Sequence, residues 1–201
     1  GFYRYNVGTH QITVVHDGVT VIPRPDSYVP NASKEEVSKA FADNYLAPDK
    51  ATQSYSPIVV NTGTKLVVID TGLGPATYEQ SKGKLGQFQT NLAAAEIDRN
   101  NVDTVIISHF HGDHINGLLM ADSKPAYPNA EIMVPSAEWK FWMDDGEMSK
   151  GMGNPILENS FKNARRVFDA LGRKVTQYDA GKEIAPGITS VASPGHTPGH
   201  T

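Results

Sequence analysis

Cysteine is absent from all 201 residues. That removes disulfide scaffolds, thiolate zinc sites and cysteine nucleophiles together. Long apolar runs are missing too: the cleanest, such as Val105-Ile106-Ile107, are strand-sized, so no membrane partner is expected. Basic clusters are almost absent, and none exceeds the Arg165-Arg166 pair. With a net charge of −4 and a pI near 6.0, the chain lacks the basic face that tracks phosphates, which argues against nucleic acid. The chain begins at Gly1 with no Met and no signal-like segment. A processed or trimmed product is therefore expected, which slightly favours a periplasmic or secreted location over a cytoplasmic one.

What is present fits a soluble globular domain: 39% hydrophobic and 20% charged residues. A chain of this length buries about 70% of its unfolded surface and needs no staples. Residues 11–16 and 19–22 read as strands around a hairpin signal at Asp17-Gly18, before a loop with prolines at 23, 25 and 30. Ser33 and Glu36 form a capping box for a helix whose apolar stripe is Val37, Phe41 and Tyr45, stopped by Pro48. Residues 57–60 and 65–70 read as a hairpin, and Leu85, Phe88, Leu92 and Ala95 as an amphipathic helix. Strands are expected at 104–108, 131–134, 174–178 and 188–192. A short helix capped by Ser136 and a long one from Asn154-Pro155 to Gly172 lie between them. Strands with intervening helices indicate an α/β domain.

The chemistry is concentrated in Ser108-His109-Phe110-His111-Gly112-Asp113-His114. Three imidazoles and a carboxylate follow an apolar strand, at the end where α/β folds place ligands. Without thiolates, imidazole nitrogen and carboxylate oxygen are the donors zinc takes. His109 and His111, two apart, project together from extended chain, and Gly112 lets the chain turn to present Asp113 and His114. A second cluster, Ser193-Pro194-Gly195-His196-Thr197-Pro198-Gly199-His200-Thr201, offers His196 as a further ligand, with His200 in a structural or supporting role. Four close donors would repel one another or compete for protons without a cation between them.

The H-F-H-G-D-H run, the V-V-I-D-T-G strand end at 67–72 and the closing G-H-T-P-G-H-T resemble the metallo-β-lactamase superfamily. The resemblance implies a four-layer αβ/βα sandwich, with residues 1–201 as one such domain whose C-terminal part is missing. It implies zinc as cofactor, two ions, although other divalent metals suit the same donors. One ion would be held by His109, His111 and His196 and the other by Asp113 and His114, the latter pair also being catalytic. Asp70 would be the supporting carboxylate. A bridging Asp and a last His are expected beyond Thr201.

The spacer before His196, its Trp-bearing helix, the G-F-Y-R start and Tyr127-Pro128-Asn129-Ala130 resemble the branch of methyl parathion hydrolase, lactonases and arylesterases. That implies hydrolysis of a neutral, fairly hydrophobic ester, lactone or organophosphate by zinc-activated hydroxide. Trp142 and then Trp139 are the candidate substrate-pocket walls, and ordinary helix packing is the competing reading for each. Other superfamily chemistry is the nearest rival: β-lactam or thioester hydrolysis, or mono-iron persulfide oxidation. A non-catalytic metal-binding module is the rival of a different class. A small-molecule substrate is the expected partner, with a homodimer left open.

Overall fold

A computed structural model describes residues 1–201. Its centre is a seven-stranded sheet ordered β1-β2-β5-β6-β7-β8-β9. The antiparallel half comprises β1 (Phe2–Val7), β2 (His10–Val15), β5 (Ile58–Asn61) and β6 (Leu66–Ile69). From β6 onward the pairing is parallel, through β7 (Thr104–Ile106), β8 (Glu131–Pro135) and β9 (Thr176–Tyr178). Two small antiparallel ribbons stand apart: β3 (Gly18–Pro23) with β4 (Lys50–Tyr55), and β10 (Glu183–Ala185) with β11 (Ile188–Thr189).

Side chains alternate across a strand, so neighbouring residues of β5, β6 and β7 serve opposite faces. Val59, Val68 and Val105 join the main core with Phe88, Leu92, Phe161, Val167 and Phe168. These come from α3 (Phe88–Ala94) and α7 (Pro155–Ala170). Val60, Val67 and Ile106 face the other way, beside Tyr178, and pack with Ile184 and Ile188 of the β10–β11 ribbon. Strands β6 and β7 are therefore covered on both faces.

The long helix forms as expected. The Asn154 side chain accepts from the N–H groups of Ile156 and Leu157, Pro155 opens the helix, and Gly172 follows its end at φ +63°. Its inward residues Phe161, Ala164, Val167 and Phe168 are buried, each large one contributing about 2 kcal/mol of apolar burial. α1 (Lys34–Asp43) carries the predicted capping box.

Several expectations need correction. Asp17-Gly18 is not a hairpin turn: β2 pairs with β1 and β5, and β3 leaves to pair with β4. Asp17 is fully buried instead, where it accepts from the Leu73 and Phe88 N–H groups. Tyr45 lies beyond the end of α1 at φ +59° and is solvent-exposed, so the stripe stops at Phe41. Pro135, not Ser136, precedes α5 (Ser136–Trp142), because the Ser136 hydroxyl donates to the Tyr178 carbonyl. The last strand shrinks from 188–192 to Ile188–Thr189. The polar strand β4 and the short α2 (Pro75–Gln80) were not foreseen.

Candidate metal centre

The site gathers at the carboxyl ends of β6 and β7. Asp70 follows β6, and residues 108–111 extend from β7 into α4 (Gly112–Ile115), a single turn that begins at Gly112. Asp113 and His114 ride on that turn. The 193–201 loop supplies His196 and is tied back to β7 where the Thr201 N–H donates to the Ser108 carbonyl. His109, His111 and His196 each present a donor atom, all within 4.8 Å of one another. His111 Nδ1 and His196 Nε2 are 3.0 Å apart, close to the roughly 3.3 Å that two nitrogens adopt around one tetrahedral zinc.

The proton positions follow from the hydrogen bonds. Asp70 accepts from the Ser108 N–H and hydroxyl, both at 2.8 Å, and from His114 Nδ1 at 2.8 Å. The Ser108 hydroxyl has given its proton to Asp70, so at 3.0 Å from His109 Nδ1 it must accept. His109 Nε2 then carries a lone pair, and that atom is buried with no hydrogen-bond partner. A buried imidazole lone pair aimed at two other imidazoles suits a cation, and the three-His half fits a zinc-class ion on that ground. Asp113 and His114 offer a second ion only two ligands, short of the usual four-ligand shell.

Electrostatics divides the cluster in the same way. Burial, and then the neighbouring imidazoles, push His109 down to about 2. Burial and His196 also lower His111. Neutral rings are the form that binds metal. Burial pulls His114 down as well, but its hydrogen bonds with Asp113 and Asp70 prevail and raise it to about 9. Asp113 is held below the usual carboxylate range: burial works against this, and the His114 hydrogen bond outweighs it. A cation taking His114 Nε2 would have to displace a proton now shared with Asp113, 3.3 Å away.

His200 is beside the triad, its ring centroid 4.6 Å from that of His109, and its Nδ1 is 2.7 Å from the Ser193 hydroxyl. That bond closes the 193–200 loop on itself. Neither Trp142 nor Trp139 lines the cleft beside Asp70, Asp113 and His114. Trp142 is 1% exposed, packs on Phe161 and Phe141, and turns its edge to His111. Trp139 faces Phe110 and Phe168. Both complete the core behind the histidines. That cleft, of about 260 Å³, is also lined by Tyr55, Pro57, Ile58 and Ile69. Three buried groups escaped the sequence reading. Asp17 looked like a turn residue, Thr71 holds the His114 carbonyl through its N–H and hydroxyl, and Glu138 on α5 had drawn no reading at all.

The sequence profile of the metallo-beta-lactamase superfamily matches residues 51–201. The chain belongs to that superfamily. Members with solved structures agree in fold. The chain superposes over its whole length on AidC, a dizinc quorum-quenching lactonase solved with a homoserine product, at TM-score 0.86 and 24% identity, covering 68% of that chain. It is similar over the same extent to AbOPH, a hydrolase of the superfamily, at TM-score 0.85 and 25% identity, again covering 68%. A probable metal-dependent hydrolase from Staphylococcus aureus matches 98% of this chain at TM-score 0.74 and 21% identity, with 68% of that chain covered. No curated protein sequence matches it. The superfamily's sandwich accounts for the mixed sheet, with helices packed on one face and the β10–β11 ribbon on the other. No helix is long and apolar enough to cross a membrane.

Proposed function

We propose that the protein hydrolyses neutral, fairly hydrophobic lactones, esters or organophosphates at a pair of zinc-class ions. The observation that carries this reading is the convergence of three imidazole donor atoms within 4.8 Å, beside a buried His109 Nε2 that has no hydrogen-bond partner. His109, His111 and His196 would hold one ion, and Asp113 with His114 would contribute to the other. A bound zinc-class ion supplies Lewis acidity and lowers the pKa of water towards about 7.

The chain's own groups do the rest. Ser108 and Asp70 keep His109 in the tautomer whose Nε2 is free. Asp113, held ionised beside the cleft, is placed to take a proton from the attacking water and pass it on. No lysine or arginine lines that cleft, where Pro57, Ile58 and Ile69 stand beside Tyr55 and the uncharged polar Gln53, Ser54 and Ser56. That lining suits an uncharged acyl or phosphoryl centre better than a polyanion. Likeness to a dizinc lactonase points first to lactones.

Metal analysis of the full-length protein, followed by assay on lactones, aryl esters, phosphotriesters and β-lactams, tests the proposal. Close to two zinc-class ions per chain with turnover of lactones or esters is the expected result. One iron per chain, or β-lactams as the sole substrates turned over, would overturn it.

A further inference from the structure

Glu138, like Asp17, is a fully buried acid that no part of the proposed chemistry uses. It sits on α5, is 0% exposed, and makes three hydrogen bonds. Its Oε2 accepts from the Phe110 N–H at 3.0 Å and from Trp142 Nε1–H at 2.7 Å. Its Oε1 accepts from the Gly199 N–H at 2.7 Å. All three partners are N–H donors and none is a cation. That set satisfies a carboxylate, which only accepts.

The positions of these donors matter. Phe110 is the residue between His109 and His111, and Gly199 sits between His196 and His200. The Trp142 ring, fixed by its bond to Glu138, meets the His111 ring edge-on at 6.0 Å. One carboxylate therefore grips the two arms that bring the three imidazoles together, although those arms are 85 residues apart along the chain. Gly199 allows the approach, since a Cβ there would meet the Glu138 backbone nitrogen at 2.3 Å. A buried carboxylate without a cationic partner is costly. A divalent ion held by imidazoles on the two arms that Glu138 grips would supply that positive charge.

We propose that Glu138 is a positioning residue of the metal centre: it holds the 109–111 and 196–200 arms in register and supplies buried negative charge that favours the cation. This rests on the metal-site reading above.

The experiment compares full-length wild type with Glu138→Gln by zinc competition against a chromophoric chelator and by the visible spectrum of the cobalt(II)-loaded protein. Denaturant unfolding of the metal-free forms runs alongside. Glutamine keeps the shape but turns an NH₂ towards an N–H donor. Zinc affinity should fall by about 10- to 100-fold, as is typical for partners behind metal ligands, and the cobalt bands should shift. Trp142→Phe, which removes one donor and leaves both loop bonds, should lower affinity by less than about threefold on the same scale. Unchanged affinity and cobalt spectrum in a folded Glu138→Gln variant would overturn the proposal, as would an equal loss in Trp142→Phe. If Glu138→Gln does not fold, amide exchange in the unaltered zinc-loaded protein decides: Phe110 and Gly199 should both be protected, and free exchange at either refutes the clamp. Wild type that binds no zinc, or a His111→Ala variant that binds it as tightly, sinks the metal-site reading instead.

Discussion

The two halves of the central sheet are built for different ends. In the antiparallel half, every residue of β1 is exposed, and the strand ends in a turn with no chemistry nearby. In the parallel half, every residue of β7 is buried, and the chain leaves it straight into the ligands. Parallel strands all finish at the same edge, where loops and helix starts converge, and ligand groups can be collected there from segments far apart. An antiparallel pair sends its ends to opposite edges. The position of Asp70 after β6 marks the seam: β6 pairs antiparallel with β5 and parallel with β7, and its end belongs to the functional edge.

That contrast can be broken deliberately. His111→Ala removes one of the three imidazoles and should cost several kcal/mol of charge stabilisation, roughly a thousandfold in kcat/KM. Steady-state kinetics of metal-saturated protein reads it, and a loss below tenfold would detach the triad from the reaction. Phe161→Ala, under the parallel half, leaves a cavity against Trp142 and Phe141 and should lower unfolding free energy by about 3–5 kcal/mol. Denaturant titration checks it, with an unchanged slope expected. Asp70→Asn keeps the side chain's size but weakens its hold on Ser108 and His114. Zinc affinity measured by chelator competition should drop about 10- to 100-fold with little effect on folding. Val7→Thr on β1, at a site 60% exposed, should change stability by no more than about 0.5 kcal/mol. A large effect there would show that the antiparallel edge is not the passive region it resembles.

Much of the site was legible because its signals are local. His109, His111, Asp113 and His114 lie within six positions, and the structure brings His196 to them from a loop rich in turn formers. The long helix declared itself through Asn154, Pro155 and Gly172. What escaped depends on tertiary placement. Asp17 is an acid that local pattern assigns to a turn and Glu138 one that it leaves unassigned, yet both are buried by distant backbone N–H groups that only the fold delivers. Burial pushes Asp17 up to about 6 even against those bonds. Trp142 shows the reverse: large aromatics near a ligand motif suggest a pocket, but this indole fills the core and its N–H is taken by Glu138. Strand β4 hid because Lys50-Ala51-Thr52-Gln53-Ser54-Tyr55 has little apolar alternation, and its partner β3 holds it through the backbone ladder and one side-chain bond, Thr20 to Tyr55.

The distance in sequence between His111 and His196 also sets an order of events during synthesis. A growing chain releases His109, His111 and His114 early, but for 85 residues after His111 it lacks His196, the imidazole that completes the triad. Closing a loop of that length costs entropy that rises only slowly with length, but no closure is possible until α7, β9 and the β10–β11 ribbon have been made and docked. Tight capture of an ion by the triad is thus reserved for a chain already folded as far as His196.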